Sequence, residues 1–111
     1  MKKIAQTSNF LSSFDLAGFT YYDGVEVFSE LKIGTELSLV AEPENPYDYR
    51  AVAVYFKEQK IGFLPRNENR IISKFINLGY TDLFRVFVNR ISAFDTTEHQ
   101  IGVVVKINCI N

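Results

Sequence analysis

The chain has 111 residues, a usual length for one domain, and 47% hydrophobic and 23% charged residues, which is typical of a globular protein. Its twelve basic and thirteen acidic residues give a formal net charge of −1, which argues against a protein that grips long duplex DNA through many phosphate contacts. A site that holds one or two nucleotides by stacking needs no basic surface overall, so this kind of site stays open.

The cysteine content and the apolar runs indicate the compartment. Cys109 is the single cysteine, so no intramolecular disulfide can form and a reducing compartment is expected. No long apolar run follows Met1, and no stretch approaches the ~20 apolar residues that cross a bilayer. We therefore expect a cytoplasmic protein without membrane association, folded as a single domain over residues 1–111.

The first third of the chain predicts a strand followed by a short helix. Residues 13–22 begin with alternating apolar side chains and end in an aromatic run, as in a strand that enters a turn. Apolar residues then recur every three positions over residues 25–33, which predicts a short helix with one buried stripe. Gly34 is placed to end that helix.

The middle of the chain predicts three strands. Apolar and polar residues alternate over residues 36–41, as in a strand with one solvent-exposed face, and residues 51–56 are expected to form the next strand of the sheet. The polar residues 57–60 have the length of a hairpin turn, and residues 61–64 make a brief strand before Pro65. The last two strands of this group are therefore expected to form a hairpin.

An amphipathic helix is expected next, with Asn67 as its N-cap and Gly79 as its stop. Apolar residues follow at three- and four-residue spacing, and we expect Ile71 and Phe75 to belong to the core. The remaining sequence predicts two longer strands, at residues 83–94 and 101–109, joined by a polar turn. Alternation assigns three of their residues to the core: Val86, Val103 and Val105.

About six short strands with two small helices favour a closed or partly closed barrel, because closure removes the exposed edges of a sheet. We therefore predict a mainly β fold, an OB-like or SH3-like β-barrel with two short helices.

Catalytic and metal-binding machinery is not expected. His99, the only histidine, falls in a polar turn, and Cys109 alternates with aliphatic residues, as an inert core thiol does. Neither residue has partners that complete a metal site, and phosphate-cradling glycine loops are missing. We predict a non-catalytic binding protein without cofactor or zinc.

The loop over residues 42–50, Glu-Pro-Glu-Asn-Pro-Tyr-Asp-Tyr-Arg, is the most informative segment. A purely structural interpretation explains much of it, because Pro43 and Pro46 restrict the backbone while Asn45 and Asp48 favour Asx turns. In that interpretation Tyr47 merely covers the core. It explains less well why two tyrosines bracket an aspartate beside an arginine.

Several segments in order resemble the HIRAN domain family. They are the Asn-Pro-Tyr-Asp loop at residues 45–48, the Ala-Val-Ala-Val strand at 51–54, the Ile-Gly-Phe-Leu-Pro-Arg element at 61–66 and the amphipathic helix that follows. The best-matching part is residues 14–79. The resemblance implies a modified OB-like barrel that binds the 3′ end of single-stranded DNA, and an association with DNA-remodelling enzymes and DNA repair.

The resemblance also implies roles for individual residues. Tyr21 and Tyr47 correspond to aromatics that hold the terminal base, and Asp48 to an acid that accepts from the terminal 3′ hydroxyl. Asn45 would shape this pocket, and Arg66 stands at the position of a basic residue that meets the phosphate backbone. A carboxylate repels phosphate but accepts from a free hydroxyl, so it selects a strand end.

Two positions depart from the end-binding members of the family. Thr20 replaces an arginine and Phe63 replaces a histidine, so that one phosphate contact and one polar contact are lost. Phe63 is interpreted either as a further stacking surface or as part of the core. The leading hypothesis is a module that binds single-stranded DNA or DNA ends, with a DNA-processing enzyme as a possible partner in trans. The alternative is a protein-interaction or assembly module that uses the Tyr-rich loop.

Overall fold

The computed structural model describes residues 9–19, 22, 24–92 and 100–108. In this part of the chain there are six strands: β1 Phe10–Asp15, β2 Glu36–Ala41, β3 Val52–Phe56, β4 Gln59–Phe63, β5 Phe84–Ile91 and β6 Ile101–Ile107. Two short helices accompany them: α1 Gly24–Val27, which continues into a 3-10 turn at Phe28–Glu30, and α2 Arg70–Asn77, which follows a 3-10 turn at Arg66–Glu68. Neither helix has the length and apolarity that a membrane span requires.

The strands form one antiparallel sheet in the order β1-β6-β5-β2-β3-β4. The strand β2 belongs to both halves of this sheet. Its first two residues, Glu36 and Leu37, pair with β5, whereas the residues from Ser38 to Ala41 pair with β3. The change of partner within β2 lets the sheet curl instead of staying flat.

The two outer edges of the curled sheet meet at one backbone bridge. The Ala17 N–H donates to the Phe63 carbonyl and the Phe63 N–H donates to the Ala17 carbonyl, each at 2.9 Å. This bridge joins the segment after β1 to the end of β4, so both edge strands gain a partner at this point. The prediction of a mainly β, OB-like barrel with about six strands is therefore confirmed.

Glycine is required at the bridge because the backbones approach closely there. A Cβ atom on Gly62 would lie 2.6 Å from the carbonyl oxygen of Ala17 and 2.9 Å from Cγ of Leu16. Carbon atoms do not approach at such distances, so any side chain at this position would push the two edges apart.

The core lies inside the curled sheet and is closed at one end by α2. The predicted core residues Val86, Val103 and Val105 are buried, as alternation along β5 and β6 requires. The segment between β1 and α1 adds Leu16 and Phe19 to the same cluster.

The prediction that Ile71 and Phe75 belong to the core is wrong. Ile71 is 47% exposed and Phe75 37%, whereas Ile72 of the same helix is 2% exposed. Phe75 instead packs edge-on against Tyr80, with ring centroids 5.8 Å apart. This contact accompanies a Schellman motif, in which the N–H of Tyr80 donates to the Phe75 carbonyl and Gly79 adopts a φ of +102°. The predicted stop at Gly79 is confirmed, but apolar spacing alone assigned the wrong face of the helix to the core.

Several boundaries differ from prediction. The helix expected over 25–33 ends earlier, because Leu31 already has an extended conformation. The N-cap of α2 is Asn69 and not Asn67, which lies in the preceding 3-10 turn. The hairpin turn is shorter than residues 57–60, since β4 begins at Gln59.

The two ends of the sheet also differ from the sequence-based bounds. The first strand covers Phe10–Asp15 in place of residues 13–22, and β5 ends at Ile91 and not at residue 94. His99 and Cys109, and hence their predicted environments, lie outside the described residues.

Candidate nucleic-acid interface

A cavity of about 250 Å³ opens beside the Ala17–Phe63 bridge, and we call it the end pocket. Its walls are the loop after β2, the end of β4 and the turn that leads into α2. Five of the six predicted site residues line it: Asn45, Tyr47, Asp48, Phe63 and Arg66. The sixth, Tyr21, and its neighbour Thr20 lie outside the described residues.

Asn45 organises the loop wall of the end pocket. Its Oδ1 accepts hydrogen bonds from the backbone N–H groups of Tyr47 and Asp48, at 2.9 and 3.2 Å. Its Nδ2 donates to Oε1 of Glu42 at 3.0 Å. This is the Asx-turn geometry that the sequence predicts, and it holds Tyr47 and Asp48 in a defined backbone conformation.

Asp48 is held as a carboxylate in this wall. Its Oδ1 accepts from the Arg50 backbone N–H at 2.9 Å, and its Oδ2 accepts from Asn69 Nδ2 at 3.0 Å. The Arg66 guanidinium lies 3.7 Å from the same Oδ2. Partial burial acts to raise the pKa of Asp48, but the two hydrogen bonds and the nearby arginine charges outweigh it and hold the pKa below its usual value. An ionised carboxylate with this many lone pairs still accepts further hydrogen bonds.

Asn69 is a site residue that sequence reasoning missed. It occupies the N-cap position of α2 but makes no side-chain cap hydrogen bond. Its side chain is 2% exposed and is turned toward Asp48 instead. An asparagine just before a helix is typical of an N-cap, so no local sequence signal indicates that its side chain binds Asp48 instead.

Tyr47 and Arg66 form the outer rim of the end pocket. Tyr47 is 84% exposed, so its ring presents a free aromatic face and does not cover the core. Arg66 Nη2 donates to the Tyr47 carbonyl at 2.6 Å, which ties the rim to the loop. The guanidinium remains largely exposed beyond this contact.

The opposite wall is aromatic. Phe63 and Tyr22 pack edge-to-face, with ring centroids 5.4 Å apart. Lys60 Nζ lies 4.9 Å from the Phe63 ring centroid and 5.3 Å from that of Tyr22, and it also forms a 2.7 Å ion pair with Glu42. The hydrogen bond from Lys60 helps to lower the pKa of Glu42 against the effect of burial, and the same bond raises the pKa of Lys60. Phe63 therefore faces the cavity at partial burial, and both Tyr22 and Lys60 are neighbours that the sequence reasoning did not assign to the site.

Together these residues can make three kinds of contact with a ligand. Flat aromatic faces accommodate a base or another ring by stacking, a fixed carboxylate accepts from hydroxyl or amino groups, and arginine donates to anions. Among the residues that the structure describes, no three histidine, cysteine, aspartate or glutamate side chains are grouped to hold a metal ion. The arrangement defines a small β-barrel module with a surface pocket whose residues suit the binding of a ligand.

Comparison with known proteins places this module in a family. The model of the HIRAN domain matches residues 9–107, so the chain belongs to the HIRAN domain family. HIRAN domains are nucleic-acid-binding modules and are typically non-catalytic on their own. The comparison with curated proteins finds no match.

Two solved structures have a similar fold. A crystal structure of a protein from Lactobacillus plantarum has a TM-score of 0.74 at 20% sequence identity, with 91% of this chain and 95% of that chain covered. The crystal structure of the HIRAN domain of human HLTF has a TM-score of 0.63 at 17% identity, with 92% of this chain and 79% of that chain covered. At such identities the likeness supports the fold.

Proposed function

We propose that this protein is a single-domain module, residues 1–111, that binds single-stranded DNA at its 3′ end through the end pocket. In this proposal the domain performs no catalysis and targets a DNA-processing enzyme in trans, within the cytoplasm. The observation that carries the proposal is one cavity that combines an exposed Tyr47 ring, a fixed Asp48 carboxylate and the Arg66 guanidinium.

The aromatic groups support base binding. The Tyr47 ring is exposed at the rim, and Phe63 lines the cavity, so the pocket offers two aromatic side chains to a base. Stacking on an aromatic side chain contributes roughly 1–3 kcal/mol per base and is tolerant of sequence. We assign Tyr21 to the same site on the resemblance alone.

The carboxylate supports recognition of a free strand end. Asp48 is kept ionised by Asn69, by the Arg50 backbone N–H and by nearby arginines, so it accepts from a hydroxyl but repels a phosphate. Arg66 contacts Asp48 and the Tyr47 carbonyl, and the exposed side of its guanidinium can meet the preceding phosphate. A site with this pair of charges prefers a hydroxyl terminus over a phosphorylated one.

Lys60 places an ammonium group beside Phe63, and its ion pair with Glu42 offsets the charge of that group. Where end-binding members carry a histidine, this chain has Phe63, and the Lys60 ammonium lies against that ring. Its ion pair with Glu42 is partly buried, which keeps the cation at this wall. We therefore expect Phe63 to contribute a stacking surface.

One observation favours the alternative, a protein-interaction module. Tyr47 and Tyr49 are 84% and 65% exposed, and exposed tyrosines are frequent anchors of protein interfaces. Salt separates the two functions, since nucleic-acid binding weakens as salt rises whereas binding of an apolar peptide is nearly indifferent to it.

The test is a titration of the whole chain with single strands that end in a 3′ hydroxyl or a 3′ phosphate. The parent is expected to prefer the free hydroxyl. Tyr47→Ala is expected to weaken binding of both strands by roughly 1–3 kcal/mol, because it removes a stacking surface. Asp48→Asn is expected to reduce the preference between the two ends, because its neutral side chain no longer repels the phosphate.

Two controls keep this test interpretable. The end preference is a ratio within one variant, so a partial loss of folded protein cancels from it. Thermal unfolding of Tyr47→Ala is expected to match the parent, since the loop retains Pro43, Pro46 and the Asn45 hydrogen bonds. If the parent binds no single strand at low salt, or both variants bind like the parent, the end-pocket proposal fails and the protein-interaction module becomes the better account.

A further inference from the structure

A second cavity, of about 350 Å³, adjoins the loop that forms the end pocket, and we call it the basic cleft. The loop contributes Tyr49 and Arg50 to its walls, and α2 contributes Arg70 and Lys74. None of the residues assigned to the end pocket lines it.

The two cavities share two walls. Asp48 lines the end pocket and the next residue, Tyr49, lines the basic cleft. At the start of α2, likewise, Asn69 lines the end pocket and the next residue, Arg70, lines the basic cleft. Consecutive Cα atoms are about 3.8 Å apart, so the two cavities lie next to each other along the loop and at the start of α2.

All charged side chains that line the basic cleft are positive. Its walls carry the cations Arg50, Arg70 and Lys74 and no carboxylate. The salt bridges found in the described chain use other basic residues, so Arg70 and Lys74 are not neutralised by an ion pair there, whereas Arg50 lies close enough to Asp48 to help lower its pKa. In a protein with a net charge of −1, such a cluster is a local concentration of positive charge.

The cleft also has an exposed aromatic ring. Tyr49 is 65% exposed, and the Arg50 guanidinium lies 5.2 Å from its ring centroid. Cations along a groove together with an aromatic face are the features by which proteins bind single strands without reading their sequence. A polyanion with stackable rings is therefore the ligand that matches this surface in charge and shape.

We propose that the basic cleft is a second nucleotide subsite, which binds the phosphodiester backbone of the nucleotides that precede the terminal one. Arg50, Arg70 and Lys74 contact phosphates, and Tyr49 stacks on a base. This inference rests on the proposed function, because the strand is placed with its 3′ end in the end pocket. It predicts that affinity increases with strand length beyond the terminal nucleotides.

The experiment compares oligodeoxythymidylates of two and of ten nucleotides, each with a free 3′ hydroxyl, bound by the whole chain over a range of salt. The parent is expected to bind the longer strand more tightly. Arg70→Gln/Lys74→Gln removes two phosphate contacts, so its salt slope for the longer strand is expected to be shallower by about 1.4, from about 0.7 per contact. If parent and variant bind equally at 1 M salt, a slope difference of about 1.4 corresponds to about 25-fold weaker binding by the variant at 0.1 M salt. Binding of the two-nucleotide strand is expected to stay at the parent's level.

Two further variants serve as comparisons. The first tests whether the position of the removed charges matters, and the second tests the contribution of base stacking. Lys32→Gln/Lys57→Gln removes the same charge from exposed residues that line neither cavity, and its salt slope is expected to match the parent's within the general effect of net charge. Tyr49→Ala is expected to weaken binding of the longer strand about 5- to 160-fold without changing the salt slope, because it removes stacking and no charge.

The outcomes distinguish the two proposals. Equal salt slopes for the Arg70/Lys74 and the Lys32/Lys57 variants would overturn the basic cleft while leaving the end pocket in place. If the longer strand depends on Arg70 and Lys74 but Tyr47→Ala affects neither strand, the basic cleft binds the backbone by itself, and both the end pocket and the placement of the strand's 3′ end are wrong. If the parent binds neither strand at low salt, both proposals are wrong.

Discussion

The contact between Asn69 and Asp48 fixes the charged group of the end pocket. The amide of Asn69 is buried and donates to an ionised carboxylate, and such bonds contribute more than bonds between neutral groups. The cost of this arrangement is a helix N-cap without a side-chain hydrogen bond. The side chain at the start of α2 thus serves the pocket at the expense of capping.

We predict that Asn69→Ala lowers the free energy of unfolding at pH 7 by about 1.5–3 kcal/mol, the range for a hydrogen bond to a charged group. The folded-state pKa of Asp48 is depressed below its ordinary value of 3.8, so its stabilising effect is present above that pH and is lost as pH falls through the folded pKa. Without Asn69 the depression is smaller. The difference between parent and variant is therefore expected to shrink below about pH 4. Urea unfolding of the parent and of Asn69→Ala at pH 7 and at pH 3 measures this difference in the free energy of unfolding.

Ser73→Ala is the matched control for this prediction. Ser73 is also buried on α2, but its Oγ donates to the Arg70 carbonyl, which does not titrate. Ser73→Ala is expected to lower the free energy of unfolding by the same amount at pH 7 and at pH 3. A stability loss for Asn69→Ala that is independent of pH would mean that Asn69 does not act through the Asp48 carboxylate.

At the scale of the element, α2 is a short helix with apolar side chains on two faces. The buried face contains Asn69, Ile72 and Ser73, and closes the core while it holds Asp48. The opposite side carries Ile71 and Phe75, which stay partly exposed beside the Schellman turn. The same helix borders both cavities, so its position relative to the sheet sets the geometry of each.

We predict that Ile72→Ala lowers the free energy of unfolding by about 2–5 kcal/mol, the usual cost of truncating a fully buried aliphatic side chain. Ile71→Ala is expected to cost less than about 1 kcal/mol, because the side chain already contacts water. Both changes remove the same atoms from adjacent positions of one helix, so helix propensity cancels in the comparison. Equal losses in denaturant unfolding would contradict the observed orientation of α2.

At the scale of the whole molecule, the barrel depends on one backbone bridge. The pair of hydrogen bonds between Ala17 and Phe63 joins the two ends of a six-stranded sheet and forms the floor beside the end pocket. Gly62 permits this approach because a side chain there would meet the Ala17 carbonyl.

We predict that Gly62→Ala opens the bridge. The added Cβ would lie 2.6 Å from a backbone oxygen that has no room to move without losing its hydrogen bond to Phe63, so we expect a loss of about 1–3 kcal/mol and faster hydrogen exchange at the Ala17 and Phe63 amides. Gly34→Ala is the control, because its φ of +92° gives backbone strain of about 1–2 kcal/mol although no atom lies within 4 Å of the new Cβ. Unchanged protection at both amides in Gly62→Ala would show that the barrel closes without this contact.

Features that depend on neighbours along the chain could be predicted from the amino-acid sequence. The alternation in β2 and β6 predicted strands because the side-chain period of a strand is two, and Gly79 predicted a helix end because it accepts a positive φ. The family resemblance assigned Asn45, Tyr47 and Asp48 to one pocket, and the Asx turn expected at Asn45 holds these three neighbours in one wall.

Contacts between distant segments depend on how the elements pack and could not be predicted from local patterns. Asn69 meets Asp48 across 21 positions and Lys60 meets Glu42 across 18, and neither pair follows from any local period. The buried face of α2 was likewise decided by how the helix lies on the sheet, since Ile71 and Ile72 are equally apolar as residues. Local patterns specify which elements form because they act within a few residues, whereas the packing of one element against another sets which side chains meet.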